Sequence, residues 1–141
     1  MLKGIPPILS PELLKILAEM GHGDELVIGD CNFPAASMGA RCVRADGHGG
    51  AELMDAVLSL LPLDTFVEAP VSLMLVTPGT LAGDPPIWQT FRETVDRHQR
   101  GVRFGYLERH AFYERARRAY ATVATGERSL YACALITKGV L

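Results

Sequence analysis

Apolar residues recur along this chain with two different periods, and the alternation between them predicts its elements. Leu13, Leu14, Ile16, Leu17 and Met20 fall at helical spacing. Ser10-Pro11-Glu12 supply a hydroxyl cap, a proline suited to a first turn and an acid near the positive end of the helix dipole, and Gly21 supplies a stop. A first helix is therefore predicted over 11–20. Glu25 to Ile28 reads as a short buried strand, 34–39 as a loop, and Arg41 to Ala45 as a second strand closed by Asp46-Gly47. Leu53, Met54, Val57, Leu58 and Leu61 predict a helix over 51–61, ended by Pro62. "VSLMLVT", Val71 to Thr77, is a nearly continuous apolar run, the signature of a strand covered on both faces. Ile87, Trp88, Phe91 and Val95 form the stripe of a polar helix over 85–100. A strand follows over 102–107, then a highly charged helix over 109–120. Two strands, 121–125 and 130–137, flank the turn "GERS" and are expected to pair antiparallel across it.

Strands alternating with helices predict an α/β fold, a three-layer α/β/α sandwich with a mostly parallel central sheet. At 141 residues one domain, 1–141, is expected, and 48% hydrophobic content excludes a disordered chain. The net charge of −2, without a basic block, gives no electrostatic footprint for nucleic acid. No apolar run approaches the roughly 20 residues of a membrane span. Pro6, Pro7 and Pro11 interrupt any signal-like apolar start. Three scattered cysteines, Cys31, Cys42 and Cys133, form no C-x-x-C pair and fit a reducing compartment. The expectation is a cytoplasmic protein with no membrane or nucleic-acid partner.

The stretch "MGHGDELVIGDCNFP", Met20 to Pro34, sets His22, Asp24 and Asp30 around a buried strand between glycines. His22 can move protons near neutral pH, or merely complement a helix C-terminus. Asp30 can orient His22 or accept sugar hydroxyls, or form an Asx-turn. Asp24 and Glu25 are read as surface or turn residues. His22, Asp30 and Cys31 match no metal-ligand spacing, so no metal is expected. A cysteine–histidine nucleophile through Cys31 or Cys133 has no local signal to support it. "RADGHGG", Arg44 to Gly50, lacks the nucleotide patterns and is read as a strand–turn–helix junction rather than a phosphate loop. Ligands in such sheets sit beyond the carboxyl ends of the strands, where Asp30 and Arg109 fall. Arg109 can bind hydroxyls with its planar fork; Tyr131 can stack on a sugar and hydrogen-bond to it. Tyr113 and Tyr120 read as core aromatics with wet tips, His48 and His98 as surface residues. Arg115, Arg117 and Arg118 read as a solvated or subunit-facing surface.

Taken in order, "LAEMGHGDELVIGDCNFPAASMG", "RADG", "RHAFYERA" and "TGERSLYACALITKGV" make the chain resemble the L-fucose mutarotase branch of the RbsD/FucU family, whose sister branch is ribose pyranase. The likeness runs from about Leu2 to Val140. The resemblance implies an RbsD-like α/β/α fold, no cofactor, and assembly as a homo-oligomer, often a decamer, with sites near subunit interfaces. It puts the proton-donating histidine on His22 and substrate binding on Asp30, Arg109, Tyr131, Ala132 and Cys133. Tyr131, whose phenol can both donate and accept, is read as the second proton-relay or positioning group. Cys133 stands where the family usually has asparagine, and Asn32 replaces a usual histidine. The implied partner is a monosaccharide, L-fucose, whose α and β anomers would be interconverted by acid–base ring opening and closure. The alternatives are a non-catalytic monosaccharide-binding protein and a ribose pyranase-type pyranose/furanose interconversion.

Overall fold

In the computed structural model, which describes residues 1–141, the elements follow as α1 (Pro11–Glu19), β1 (Glu25–Gly29), α2 (Ala35–Met38), β2 (Cys42–Ala45), α3 (Gly50–Leu58), β3 (Val71–Met74), α4 (Pro86–His98), β4 (Phe104–Leu107), α5 (Arg109–Arg118), β5 (Ala121–Thr125) and β6 (Ala134–Thr137). The α1 start is as read: the Ser10 hydroxyl accepts from the Leu13 N–H with Pro11 in the first turn. One sheet runs β2-β5-β1-β6-β3-β4. β1 is parallel to β5, β2 to β5 and β3 to β4, while β6 alone runs antiparallel, to both β1 and β3.

The period-2 alternation of buried side chains divides the core into two layers. From one face Leu26, Ile28, Val71, Leu73, Ala121, Val123, Ala134 and Ile136 meet α1, α3 and α4. From the other, Val27, Met74, Ala124 and Leu135 meet α2 and α5 through Ala35, Phe112 and Ala116. Helices thus cover both faces, as a sandwich with a mostly parallel sheet requires.

The expected hairpin between the last two strands does not form. β1 lies between β5 and β6, with Leu26 opposite Ala121 on one side and Ile136 on the other. Residues 126–133 instead cross over the carboxyl end of β1. Three contacts hold them there. The Cys31 N–H donates to the Glu127 carbonyl at 2.9 Å. The Glu127 carboxylate accepts from the Gly50 N–H at the start of α3. Gly126 passes so close to β2's exit that a Cβ would sit 2.0 Å from the Asp46 carbonyl oxygen. The final strand starts at Ala134 rather than Leu130 because Tyr131, at φ 57°, has left extended backbone. The 34–39 loop holds the short helix α2, and β3 stops at Met74, three residues before the end of its apolar run.

Candidate active site

Because five strands point one way, the exits of β1–β5 and the entry of β6 share one edge of the sheet. Asp30 leaves β1 there, with only 7% of its surface exposed. Its Oδ1 accepts from the Asn32 N–H at 2.9 Å, an Asx-turn, and its Oδ2 from the Cys133 thiol at 3.4 Å. Burial, with the Asp30 charge behind it, pushes the Cys133 thiol well up, so Cys133 is a protonated donor and not a nucleophile. Ala132 is fully buried, main chain included, and does not face the cleft. An open cleft of about 440 Å³ lies beside Asp30, bounded by Cys31, Phe33, Arg44, Asp46 and Thr125.

The crossover carries Tyr131 to this same edge. An L-residue at positive φ costs about 1–3 kcal/mol unless its surroundings hold it. Here the indole N–H of buried Trp88 donates to the Tyr131 carbonyl at 3.0 Å. The phenol oxygen accepts from the Thr77 N–H at 3.1 Å and lies 2.9 Å from the Thr80 hydroxyl. Hydrogen bonding with Thr77 and Thr80, with the positive charge of Arg109, holds the phenol below its ordinary pKa. Arg109 is exposed in the first turn of α5, capped by Glu108. A cation is disfavoured by the dipole at that end of a helix, so local helix stability gives no reason for an arginine there.

His22 is on the opposite edge, before β1. The strand alone spans about 13 Å at roughly 3.3 Å per residue, so Asp30 does not orient the imidazole. Asp64, 42 residues further on, does: His22 Nε2 lies 3.2 Å from Asp64 Oδ1. A carboxylate only accepts, so the proton is on Nε2 and Nδ1 is the nitrogen free to exchange one. Asp64 is buried and accepts the Phe66 N–H as well, the foremost cause, ahead of His22, of its lowered pKa. The Asp64 N–H donates to the Thr137 carbonyl, tying the loop to β6. Gly23, at φ 84°, turns the chain so that its N–H reaches the Lys138 carbonyl. The imidazole side chain is 47% exposed, with the Phe66 ring 5.5 Å away.

This separation rules out a His22–Asp30–Cys31 metal set and a Cys133–His22 pair within the chain. No three His, Cys, Asp or Glu side chains are grouped to hold a metal. The α3 N-terminus is occupied by Glu127, in keeping with a junction at "RADGHGG". Arg115 is not a solvated surface residue: it reaches Glu25 and the Ser72 hydroxyl, which makes Glu25 a structural partner and not a turn residue. Tyr113 and Tyr120 are half-buried, the latter with its hydroxyl on Glu19. Sequence reading overlooked Asp64, Phe66, Thr77 and Thr80, and gave Trp88 only a place in the apolar stripe of its helix. The one signal for Asp64 was an acid set just beyond the Pro62 stop, between Leu63 and Thr65.

No helix is long and apolar enough to cross a membrane. The RbsD / FucU transport protein family matches residues 3–141. The chain is 49% identical to the fucose mutarotase of Homo sapiens over 99% of its own length and 94% of that protein. Its fold superposes with a TM-score of 0.93, at 47% identity and 99% coverage of both chains, on the crystal structure of a fucose mutarotase from Streptococcus pneumoniae in complex with L-fucose. Bacillus subtilis RbsD, complexed with D-ribose, shares the fold at 22% identity, with a TM-score of 0.75 over 100% of this chain and 99% of that one. By its sequence along nearly its whole length and by its six-stranded sheet, this chain belongs to the RbsD/FucU family.

Proposed function

We propose that this protein is a mutarotase that interconverts the α and β anomers of L-fucose, its whole chain acting as one sugar-binding domain. The observation that carries the reading is a half-exposed imidazole, fixed by a buried carboxylate, in a chain 47% identical to a mutarotase crystallised with L-fucose. Mutarotation breaks the bond between the anomeric carbon and the ring oxygen, turns the aldehyde, and closes the ring on the other face. His22, protonated at Nδ1, gives its proton to the ring oxygen as that bond breaks. The anomeric hydroxyl gives its one hydrogen to water, and its oxygen then accepts a hydrogen bond from the Tyr131 phenol. On closure the ring oxygen returns its proton to His22 and the carbonyl oxygen regains one, so the cycle is neutral. Asp30 and Arg109 hold sugar hydroxyls, while the buried Ala132 and Cys133 back them from inside the fold, the Cys133 thiol through its hydrogen bond to Asp30. Positioned acid–base catalysis of this kind typically contributes about 10²–10⁴-fold.

His22 and Asp30 lie on opposite edges of one sheet, so in this reading the site is completed between copies: His22 from one subunit faces the Asp30 edge of another. The surface around His22 supports packing against a second copy, since Phe66 is 76% exposed and Val67 42%. The assembly proposed is a homo-oligomer in the cytoplasm, decameric as the family resemblance implies.

The test is anomer exchange of L-fucose, D-ribose and D-galactose followed by saturation-transfer NMR with and without protein. Accelerated α/β exchange of L-fucose, lost in His22→Ala, is expected. Binding without acceleration would replace the enzyme with a sugar-binding protein. Pyranose/furanose exchange of D-ribose in preference to L-fucose would move it to the ribose branch.

A further inference from the structure

The phenol of Tyr131 is held by a closed hydrogen-bond circuit that the proposed chemistry does not by itself require. Thr80 Oγ1 is 2.7 Å from the Thr77 carbonyl oxygen, which can only accept, so the Thr80 hydroxyl hydrogen goes there. At 2.9 Å from the phenol, Thr80 Oγ1 then accepts, and the phenol donates to it. The Thr77 N–H donates to the phenol oxygen and completes the ring. In this arrangement the phenol hydrogen is engaged, and Tyr131 offers a ligand only a lone pair.

Rotation of the single Thr80 hydroxyl reverses the circuit. Thr80 then donates to the phenol, and the phenol hydrogen is free to point at a ligand. The Thr77 carbonyl still accepts the Thr80 N–H at 3.1 Å, so neither state leaves it unpaired. Both states keep the phenol oxygen at one place, because the Trp88 indole fixes the Tyr131 carbonyl and the backbone at φ 57°.

We infer that the Thr77–Thr80 turn is a positioning device for Tyr131, in which the Thr80 hydroxyl sets whether the phenol accepts from or donates to the anomeric oxygen. This rests on the mutarotase reading. The anomeric oxygen is a hydroxyl in both cyclic anomers and an acceptor-only carbonyl in the open chain. One residue that stays in contact throughout can accept from the first while its hydrogen is in place, and must donate to the second once that hydrogen has gone to water. A Thr80 hydroxyl turning about one bond allows this without moving a heavy atom or transferring a proton to the protein.

The experiment is a double-mutant cycle between Thr80→Val, which keeps the side chain's shape, and Tyr131→Phe. Exchange rates of L-fucose are measured by NMR for each protein. Thr80→Val is expected to lower kcat about tenfold with little change in KM, the scale of one hydrogen bond. Thr80→Ser should restore most of the rate. In the Tyr131→Phe background Thr80→Val should cost nothing further. An equal loss in both backgrounds would mean that Thr80 only braces its loop, and would overturn the inference. A second readout needs no activity: the ¹³Cζ resonance of Tyr131, identified by its loss in Tyr131→Phe. Arg109, from α5, is the charge acting on this phenol. With Arg109 unchanged, Thr80→Val should move the titration to higher pH and Thr80→Ser should not. An unmoved titration sinks the coupling. Absence of exchange in the unmodified protein would instead sink the mutarotase reading and the catalytic role with it, while the resonance still decides whether Thr80 and Tyr131 are coupled.

Discussion

Replacing Trp88 with phenylalanine tests how the candidate site is built. Trp88 is 2% exposed and its indole N–H holds the Tyr131 carbonyl at 3.0 Å. Loss of that hydrogen bond costs about 1 kcal/mol, because half-buried Tyr131 can offer its carbonyl to water. Phenylalanine is about three ring atoms smaller, and in a buried position this removes a further ~2 kcal/mol of transfer and cavity energy. Against these, release of the carbonyl lets Tyr131 leave positive φ and recovers about 1 kcal/mol of strain. The net destabilisation is about 2 kcal/mol. With an unfolding entropy of about 2.1 cal/mol/K per residue, 141 residues give roughly 0.3 kcal/mol per degree, and Tm should fall by about 7 °C. Anomer exchange at 25 °C, where the variant is still folded, should fall more than tenfold because the phenol loses its fixed position. Calorimetry and NMR exchange on the same sample check both numbers. A Tm within about 2 °C of the parent together with an unchanged exchange rate would refute the idea that the indole anchors the crossover.

Asp64→Asn should reduce kcat about tenfold with little effect on KM, because it touches the imidazole and not the sugar; steady-state exchange rates check this. Asp64 has a lowered folded-state pKa. Its contribution to stability is therefore complete above the ordinary carboxylate range and lost as pH falls through that lowered value. The Tm gap between parent and Asp64→Asn should be open at pH 7 and close in strong acid; a gap that widens on acidification would contradict the assignment. Timed alkylation at pH 8, read by mass spectrometry, should modify exposed Cys31 first and Cys133 only on unfolding, since burial keeps the Cys133 thiol protonated. Gly126→Ala should cost at least about 3 kcal/mol or prevent folding, because the added carbon meets the Asp46 main chain and not a movable side chain; urea titration measures it.

Elements governed by local periodicity were legible. The α1 cap, the apolar stripe of α4 and the buried run of β3 each announce themselves within about a dozen residues. The placement of Asp30 and Arg109 at one edge was legible because each lies just beyond a strand, and strand exits in such sheets collect at one edge. What failed was pairing. A four-residue turn signal between two apolar runs reads as a hairpin, yet residues 126–133 carry Gly126 and Glu127, whose partners lie at the far ends of β1, β2 and α3. No local pattern encodes such contacts. The same holds for Asp64 beside His22 and for Trp88 under Tyr131, 43 residues apart in the chain. The positive φ of Tyr131 was hidden because a tyrosine carries none of the signals that glycine or asparagine give.

The central claim is that His22 of one copy acts on a sugar held by Asp30 of another. Co-expression of His22→Ala and Asp30→Asn chains, separately tagged and isolated as mixed oligomers, tests it most directly through L-fucose anomer exchange. Each variant alone should be inactive. Random mixing of equal amounts should restore about a quarter of the parent rate, since a quarter of the interfaces then pair an intact His22 with an intact Asp30. Mixed oligomers as inactive as either parent would contradict the account.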